Sequence, residues 1–215
     1  MIRNLSQGNS IINQFIGEIR DVEIQKDRLR FRRNMERMGE IFAYEISKTM
    51  EFTTREVTTP LGIAEVPVLK EQPLVATILR AGLPLHQGVL NIFDHADSAF
   101  ISAYRKHHKD GSFDIKLEYV SSPPLDNRIL ILCDPMLATG ASIVMTYKAL
   151  LQWGVPRHTH IVCSLASAQG LEHVKSHLPS SVTIWTGAID EELTAQAYIV
   201  PGLGDAGDLA YGIKM

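Results

Sequence analysis

The chain is poor in cysteine, carries no surplus of positive charge and contains no long apolar run. Its two cysteines, Cys133 and Cys163, each sit inside an apolar segment (ILILC and HIVCS). That setting predicts buried, reduced thiols on strands, not a disulfide framework or a metal pair. Lys and Arg number 21 against 24 Asp and Glu, a formal net charge of -3. This is the wrong sign for a protein whose main business is gripping a nucleic-acid backbone. No stretch approaches the roughly 18 consecutive apolar residues of a membrane helix. The opening MIRNLSQGNSIINQF lacks the basic start, apolar run and small-residue cleavage site of a secretory signal, so the Asn4-Leu5-Ser6 sequon carries no weight. The expectation is a cytoplasmic protein without membrane or nucleic-acid partners. No Gly-Lys-Ser/Thr occurs either, which excludes a Walker phosphate loop.

What is present is enough apolar residue, 45% of 215, for one sizeable core. One domain over 1–215 is expected, with a helical segment at about 8–50 and a cap at about 186–215. Within the helical segment, residues 8–20 and 27–49 have helical character. Phe31, Met35, Met38, Phe42, Ile46 and Thr49 recur at three- and four-residue steps and trace one apolar stripe. Pro60-Leu61-Gly62 breaks a short extended pair. An alternation follows: strand Leu74–Leu79, a helix with Pro84 in its first turn running to about Phe93, and strand Ser98–Tyr104. Next come a hairpin signal at Asp110-Gly111, strand Ile129–Cys133, and helix Ala141–Gln152 closed by Gly154 and Pro156. Strand His160–Leu165, a helix near Gln169–His177 and strand Val182–Trp185 complete it. This spacing implies an α/β fold, a mostly parallel twisted sheet flanked by helices. Ligands of such a sheet bind beyond the carboxyl ends of its strands.

The run Ile129–Cys133 ends in Asp134-Pro135-Met136-Leu137-Ala138-Thr139-Gly140-Ala141-Ser142 and then a helix. Asp134 stands where a carboxylate accepts hydrogen bonds from sugar hydroxyls. Thr139, Gly140 and Ser142 offer hydroxyls and backbone N–H groups at a helix N-terminus, a setting suited to a phosphate dianion. An ordinary strand–turn–helix with Thr139 or Ser142 as N-cap reads these residues equally well. After the first apolar strand, Leu79-Arg80-Ala81-Gly82-Leu83 places an arginine fork beside a glycine that admits close backbone approach, which suits a pyrophosphate; one such arginine is more often a plain surface charge. Tyr104–Gly111 is a basic cluster entering a tight turn. His107 and His108 make a poor metal pair there, since neighbours on a strand face opposite ways. Gly202-Leu203-Gly204-Asp205-Ala206-Gly207 has the spacing of a dinucleotide fingerprint, but too little chain follows Gly207 to build the second strand and acidic residue that fingerprint needs.

The string Asp134–Gly140 resembles the donor motif of the type I phosphoribosyltransferases, in the form typical of the uracil phosphoribosyltransferase family, with Pro135 where the wider superfamily has a second acid. That family usually reads Gly-Gly-Ser where this chain has Gly140-Ala141-Ser142, and Ala141 is expected to lie already in the helix. Leu79–Leu83 resembles the family's pyrophosphate loop, and Tyr198–Asp208 (YIVPGLGDAGD) resembles its uracil-recognising segment. The resemblance runs from about Thr58 to the C-terminus. It implies transfer of the 5-phosphoribosyl group from 5-phosphoribosyl 1-diphosphate to uracil, giving UMP and pyrophosphate. It implies donor binding by Arg80, Arg105, Asp134, Pro135, Met136, Leu137, Ala138, Thr139, Gly140, Ala141, Ser142 and Asp205. Uracil contacts fall to Ile199, Gly204, Asp205 and Ala206, and catalytic roles to Asp205 and Arg105. The further implications are Mg²⁺ held mainly through donor oxygens and water, a flexible β-hairpin flap beginning at Tyr104-Arg105, and a homodimer or higher homo-oligomer. GTP binding is left open. The family usually has a basic residue after Gly-Asp; here Leu209 follows Asp208.

Two other readings stand beside this one: a phosphoribosyltransferase for a different base, and a regulatory protein that binds the sugar diphosphate as a signal. The second would bring a nucleic-acid-binding module or a basic face. The dense basic stretch is Arg28, Arg30, Arg32, Arg33 and Arg37, where Glu36 and Glu40 are spaced to pair with arginines, so a solvated or subunit-facing helix is expected. Asp94-His95-Ala96-Asp97 reads as routine polar residues at a helix end, and Asp190-Glu191-Glu192 as a complement to a helix N-terminus.

Overall fold

A computed structural model describes residues 1–107 and 113–213, without the side chains of residues 103–116. The elements in chain order are β1 (Ile2–Asn4), α1 (Ile11–Arg20), α2 (Arg28–Ser47), β2 (Phe52–Thr59), β3 (Gly62–Leu69), β4 (Leu74–Leu79), α3 (Leu83–Ile92), β5 (Asp97–His107) and β6 (Phe113–Ser121). There follow β7 (Ile129–Cys133), β8 (Met136–Leu137), α4 (Ala141–Leu150), β9 (His158–Ser167), α5 (Ala168–His177), β10 (Val182–Asp190), β11 (Glu192–Leu193), β12 (Ile199–Val200) and α6 (Ala206–Tyr211). Among the described residues no helix is long and apolar enough to cross a membrane.

The central sheet runs β1-β10-β9-β7-β4-β5-β6, with β8 beside β9. Its pairings are parallel except that of β5 with β6, so the expected mostly parallel α/β fold is what forms. Period-two alternation sends successive residues of each strand to opposite faces. Val75, Ile131, Cys133 and Val162 pack beneath α1, α2 and α3. Leu74, Ala76, Leu130, Leu132, Ile161 and Cys163 face α4 and α5. Both faces are covered, which is why the strands read as unbroken apolar runs. The two cysteines are fully buried free thiols, and burial holds both well above the ordinary thiol range, Cys163 at about 12. They are inert by environment.

Counted along the chain, β4, β5, β7, β9 and β10 follow the doubly wound order 2-1-3-4-5. The strand order reverses between β4 and β7, and crossover connections leave in opposite directions there. In folds of this kind ligands bind beyond the carboxyl ends of the strands at such a reversal.

Helix α2 starts where expected because the Asp27 side chain accepts from the Leu29 and Arg30 N–H groups. Phe31, Met35, Met38, Phe42 and Ile46 are buried on one stripe, while Thr49 lies beyond the helix end. The arginine-rich stretch is largely solvated, as anticipated, with Arg28, Arg30, Arg33 and Arg37 exposed, and it is also braced within the chain. Arg30 meets Glu18 of α1 at 2.8 Å, Arg32 donates to the Ala210 carbonyl of α6 at 2.7 Å, and Arg33 pairs with Glu36 at 2.7 Å. Glu40 accepts from Asn91 of α3 instead of an arginine. Hydrogen bonds from Arg30 and then Asn34 hold the Glu18 carboxyl at about 2.

Strand β10 runs five residues past the Trp185 end expected for it. Ala188, Ile189 and Asp190 stay in parallel register with Leu165, Ala166 and Ser167, so the terminal cap begins only after Asp190.

Two buried histidines make stability pH-dependent. His160 is 4% exposed, and burial, with His158 and Arg3 nearby, pushes it down to about 3. Burial lowers His86 as well. Both rings are neutral in the fold, whereas the unfolded chain takes up protons near the ordinary histidine value of about 6.5. Below that value the unfolded state binds more protons, so stability declines as pH falls. The urea midpoint is expected to drop between pH 7 and pH 5, with a shallower drop for His160→Gln. An equal slope in the variant removes His160 from the effect.

Candidate active site

The loop after β7 is built by β9 and α5. Asp134 N–H donates to the Val162 carbonyl, and the Pro135 carbonyl accepts from Ser164 and Leu165 N–H, each at 3.0 Å. The buried Ser167 hydroxyl donates to the Ala138 carbonyl at 2.6 Å and accepts from Gly170 N–H at 2.8 Å. The far end of the loop is therefore tied to the first turn of α5. Gly140 has φ of 75°, and a Cβ there would come within 2.7 Å of Val174 and 2.8 Å of the Gly170 carbonyl. Only glycine fits both constraints. Ala141 begins α4, as expected, so its methyl meets no left-handed backbone. Asp134, residues 136–140, Ser142 and Ile143 line a small hollow at the N-terminus of α4, where backbone N–H groups point outward.

The loop after β4 lies against it. A Cβ on Gly82 would sit 2.3 Å from Thr77 Oγ1 and 2.8 Å from the Cys133 carbonyl. Glycine thus lets the β4 loop close onto the end of β7, one residue before Asp134. Arg80 projects from that loop toward the C-terminal cap, where its Nη2 donates to Asp208 Oδ1 and to the Gly212 carbonyl, both at 3.2 Å.

The cap carries the glycine-rich tail. Asp205 Oδ1 accepts from Gly207 and Asp208 N–H at 2.8 and 3.1 Å and so caps α6. The antiparallel pair of β11 with β12 precedes this short helix, so the glycine pattern is not a dinucleotide fingerprint. Leu209, where a basic residue is usual, packs against the core. Met136, Ala138, Ala81, Ile199, Leu203 and Ala206 belong to one apolar cluster. The Arg80 loop thus touches the tail on one side and the end of β7 on the other, at the strand reversal.

The structure corrects one expectation at the rim. Asp190 does not complement a helix; it ends β10, 7% exposed, and grips Arg20 of α1 through both oxygens at 2.8 Å. Asp190 Oδ2 also accepts from Gly202 N–H at 3.0 Å, and Arg20 donates to the Gly202 carbonyl at 3.0 Å. This ion pair holds the peptide groups on both sides of Gly202. Sequence reasoning missed Arg20, Asp190, Ser167 and Asp208. One signal was available: Asp190, like Asp134, is a carboxylate closing an apolar strand. Of the residues implicated in advance, Arg105 lies on β5 and its side chain falls outside the described residues, as does the turn at Asp110-Gly111. Asp134, Met136, Leu137, Ala138, Thr139, Gly140 and Ser142 line the hollow at α4, and Arg80 reaches the tail. Among the described residues no group of three or more His, Cys, Asp or Glu stands together to hold a metal ion.

The sequence matches the family model described as uracil phosphoribosyltransferase over residues 7–213. It is 54% identical over 212 residues to a uracil phosphoribosyltransferase of Porphyromonas gingivalis, covering 99% of this chain and 98% of that one. A uracil phosphoribosyltransferase of Pyrococcus furiosus is 35% identical over 204 residues, covering 94% of this chain and 86% of the relative. A solved protein structure from Aquifex aeolicus superposes with a TM-score of 0.88 at 29% identity, covering 99% of both chains.

The Arg20–Asp190 pair is expected to carry the order of the tail. Asp190→Ala should destabilise the protein by roughly 2–3 kcal/mol, somewhat below the figure for a fully buried pair because Arg20 keeps part of its surface in water. Hydrogen exchange at Gly202 and Leu203 should speed up by more than the global loss of stability explains. Equal acceleration across the whole sheet would show that the pair merely contributes to the core.

Proposed function

The chain belongs to the uracil phosphoribosyltransferase family, and from that premise we propose how its crevice performs the transfer. The reaction takes the 5-phosphoribosyl group from 5-phosphoribosyl 1-diphosphate to uracil and releases UMP and pyrophosphate. The observation that carries the assignment of roles is the meeting of three loops at the β4–β7 reversal.

In this reading the donor's 5-phosphate sits on the backbone N–H groups and hydroxyls of Thr139–Ser142, at the start of α4. Asp134 accepts from the ribose hydroxyls. Arg80 exchanges its cap contacts for the pyrophosphate, with Arg105 closing from β5. The carboxylates and phosphate oxygens of such a site are hard donors suited to Mg²⁺, which adds positive charge beside the departing pyrophosphate. Uracil lies against the tail, read by backbone groups of Ile199, Gly204 and Ala206. A Cβ on Gly204 would meet nothing within 4 Å, which leaves space for a ring on that side. A hydrogen-bonding site of this kind discriminates between bases better than an apolar slot does. The bond from the anomeric carbon to the pyrophosphate oxygen breaks, the bond to uracil N1 forms, and N1 loses its proton. Asp205 supplies negative charge opposite the positive charge developing on the ribose, and positioning with electrostatics provides most of the rate.

We also assign the protein to a homodimer. The β2–β3 ribbon pairs only with itself, its strands are almost wholly exposed, and it carries Phe52, Val57, Leu61 and Ile63 into solvent. An isolated two-stranded ribbon is marginal in water, and apolar surface of this kind marks a contact. A second copy of the chain is the occupant that supports the ribbon.

Purified protein given Mg²⁺, the sugar diphosphate and each common base separately is expected to form nucleotide with uracil. Product with another base and none with uracil would overturn the substrate. Asparagine caps a helix as well as aspartate does, so Asp205→Asn keeps the α6 cap and removes only the charge. Turnover should fall by at least about tenfold, a loss of about 1.4 kcal/mol in transition-state stabilisation, with an unchanged melting temperature. Asp205→Ala should in addition lose about 1 kcal/mol of stability. Near-normal turnover of Asp205→Asn would strike Asp205 from the mechanism. In sedimentation the protein should run as a dimer, and Leu61→Glu with Ile63→Glu should shift it toward monomer. A wild-type monomer would refute the ribbon's role.

A further inference from the structure

A cavity of about 330 Å³ lies at the other end of the sheet, among the amino ends of β7, β9 and β10 and beside β1. None of its lining residues belongs to the crevice described above. Its charged groups divide into pairs and a remainder. Arg157 is bonded to Glu71, Glu51 to Lys70 at 2.9 Å, and the Met1 ammonium donates to the Val182 carbonyl at 3.1 Å. Arg3 is the remainder: its guanidinium lies 5.2 Å from the Trp185 ring centroid, and no carboxylate among the described residues pairs with it.

A second polar group there lacks a partner. His160, almost wholly buried, accepts at Nδ1 from Trp185 Nε1–H at 3.1 Å. That bond places the proton of the neutral ring on Nε2. Among the described residues no acceptor reaches Nε2. His160 lines the cavity, and a ligand oxygen there would accept from that N–H. Burial, then His158 and Arg3 nearby, keep this ring neutral.

We propose that this cavity binds a phosphorylated small molecule. Its phosphate oxygens take the His160 Nε2–H and the Arg3 guanidinium, and its organic part lies against Trp185, Met50 and Ile129. A tetrahedral oxyanion offers acceptors in several directions, as a fork and a separate N–H require. A planar carboxylate is satisfied by one fork alone. The volume is at the lower end of the range for small-molecule sites and well above that of a bare phosphate. The proposal does not depend on the chemistry assigned to the crevice.

Phenyl phosphate, inorganic phosphate and benzoate serve as probes. The chain has two tryptophans, so a Trp153→Phe background leaves Trp185 as the reporter, read together with the ring ¹⁵N signals of His160. Both reporters lie at the cavity and do not see ligand in the crevice. Phenyl phosphate should change both saturably and bind more tightly than inorganic phosphate. Arg3→Gln, at an exposed position, should weaken it by about tenfold or more. Three results would each overturn the proposal: no response at millimolar phenyl phosphate, equal affinity in Arg3→Gln, or benzoate binding as tightly as the phosphate ester.

Discussion

The parallel pairing of β4 with β7 is the constraint on which the rest of the molecule turns. These strands are far apart in sequence, and their adjacency forces the strand order to reverse. The chain leaves them toward opposite faces, so no crossover fills the gap at their carboxyl ends. Close approach at Gly82 brings the two following loops together, and Ser167 fixes the outer one to α5. The crevice is thus a consequence of topology. Its chemistry comes from what the two loops carry: a carboxylate and a helix N-terminus on one, an arginine on the other.

The C-terminal tail reaches that crevice by a different route. It has few residues with which to build a core, and its hold is mostly polar. Arg20 and Asp190 meet through two bonds, and each also bonds a peptide group beside Gly202. Desolvating such a pair offsets much of its attraction, so it is a poor source of net stability. Its directional demands serve another end, because only one placement of the tail satisfies all four bonds. Arg32 on the Ala210 carbonyl and Arg80 on Asp208 extend the same logic along α6. A tail fixed by polar geometry keeps its backbone groups at set positions, which is what recognition of a base edge requires.

The legibility of this arrangement followed the range of the interactions. Strands β4, β7 and β9 were visible because burial on both faces leaves an unbroken apolar run, and α2 because its stripe keeps helical period. The placement of Ala141 in α4 is local and was anticipated, whereas α6 and its Asp205 cap were not, because the glycine-rich tail carries no helical period. Asp190 was misread because its partner is 170 positions away. An isolated Asp-Glu-Glu looks the same whether it faces water or a distant arginine. The end of β10 was set too early for a related reason: Thr186-Gly187-Ala188 has little apolar signal, yet β9 holds that stretch in register. The arginines on α2 are a solvated face, as read, but two of their acceptors, Glu18 and the Ala210 carbonyl, come from other helices and were not visible. Pairing across the fold is the information a single sequence carries least.

Strand β9 also shows why the two ends of the sheet differ in character. Its carboxyl end presents Ser167, and its backbone N–H groups support the Asp134 loop, so that end is spent on shaping the turn before α4. Its amino end carries His158 and His160, whose rings lie 4.5 Å apart beneath Arg3 and Trp185. A purely structural role for that end would be met more cheaply by apolar side chains, since a buried imidazole must find partners for both nitrogens. One nitrogen of His160 is satisfied by Trp185 and the other faces a cavity beside an arginine with no carboxylate. An N–H donor and a cation without a carboxylate therefore meet at one cavity, where an oxyanion would find both.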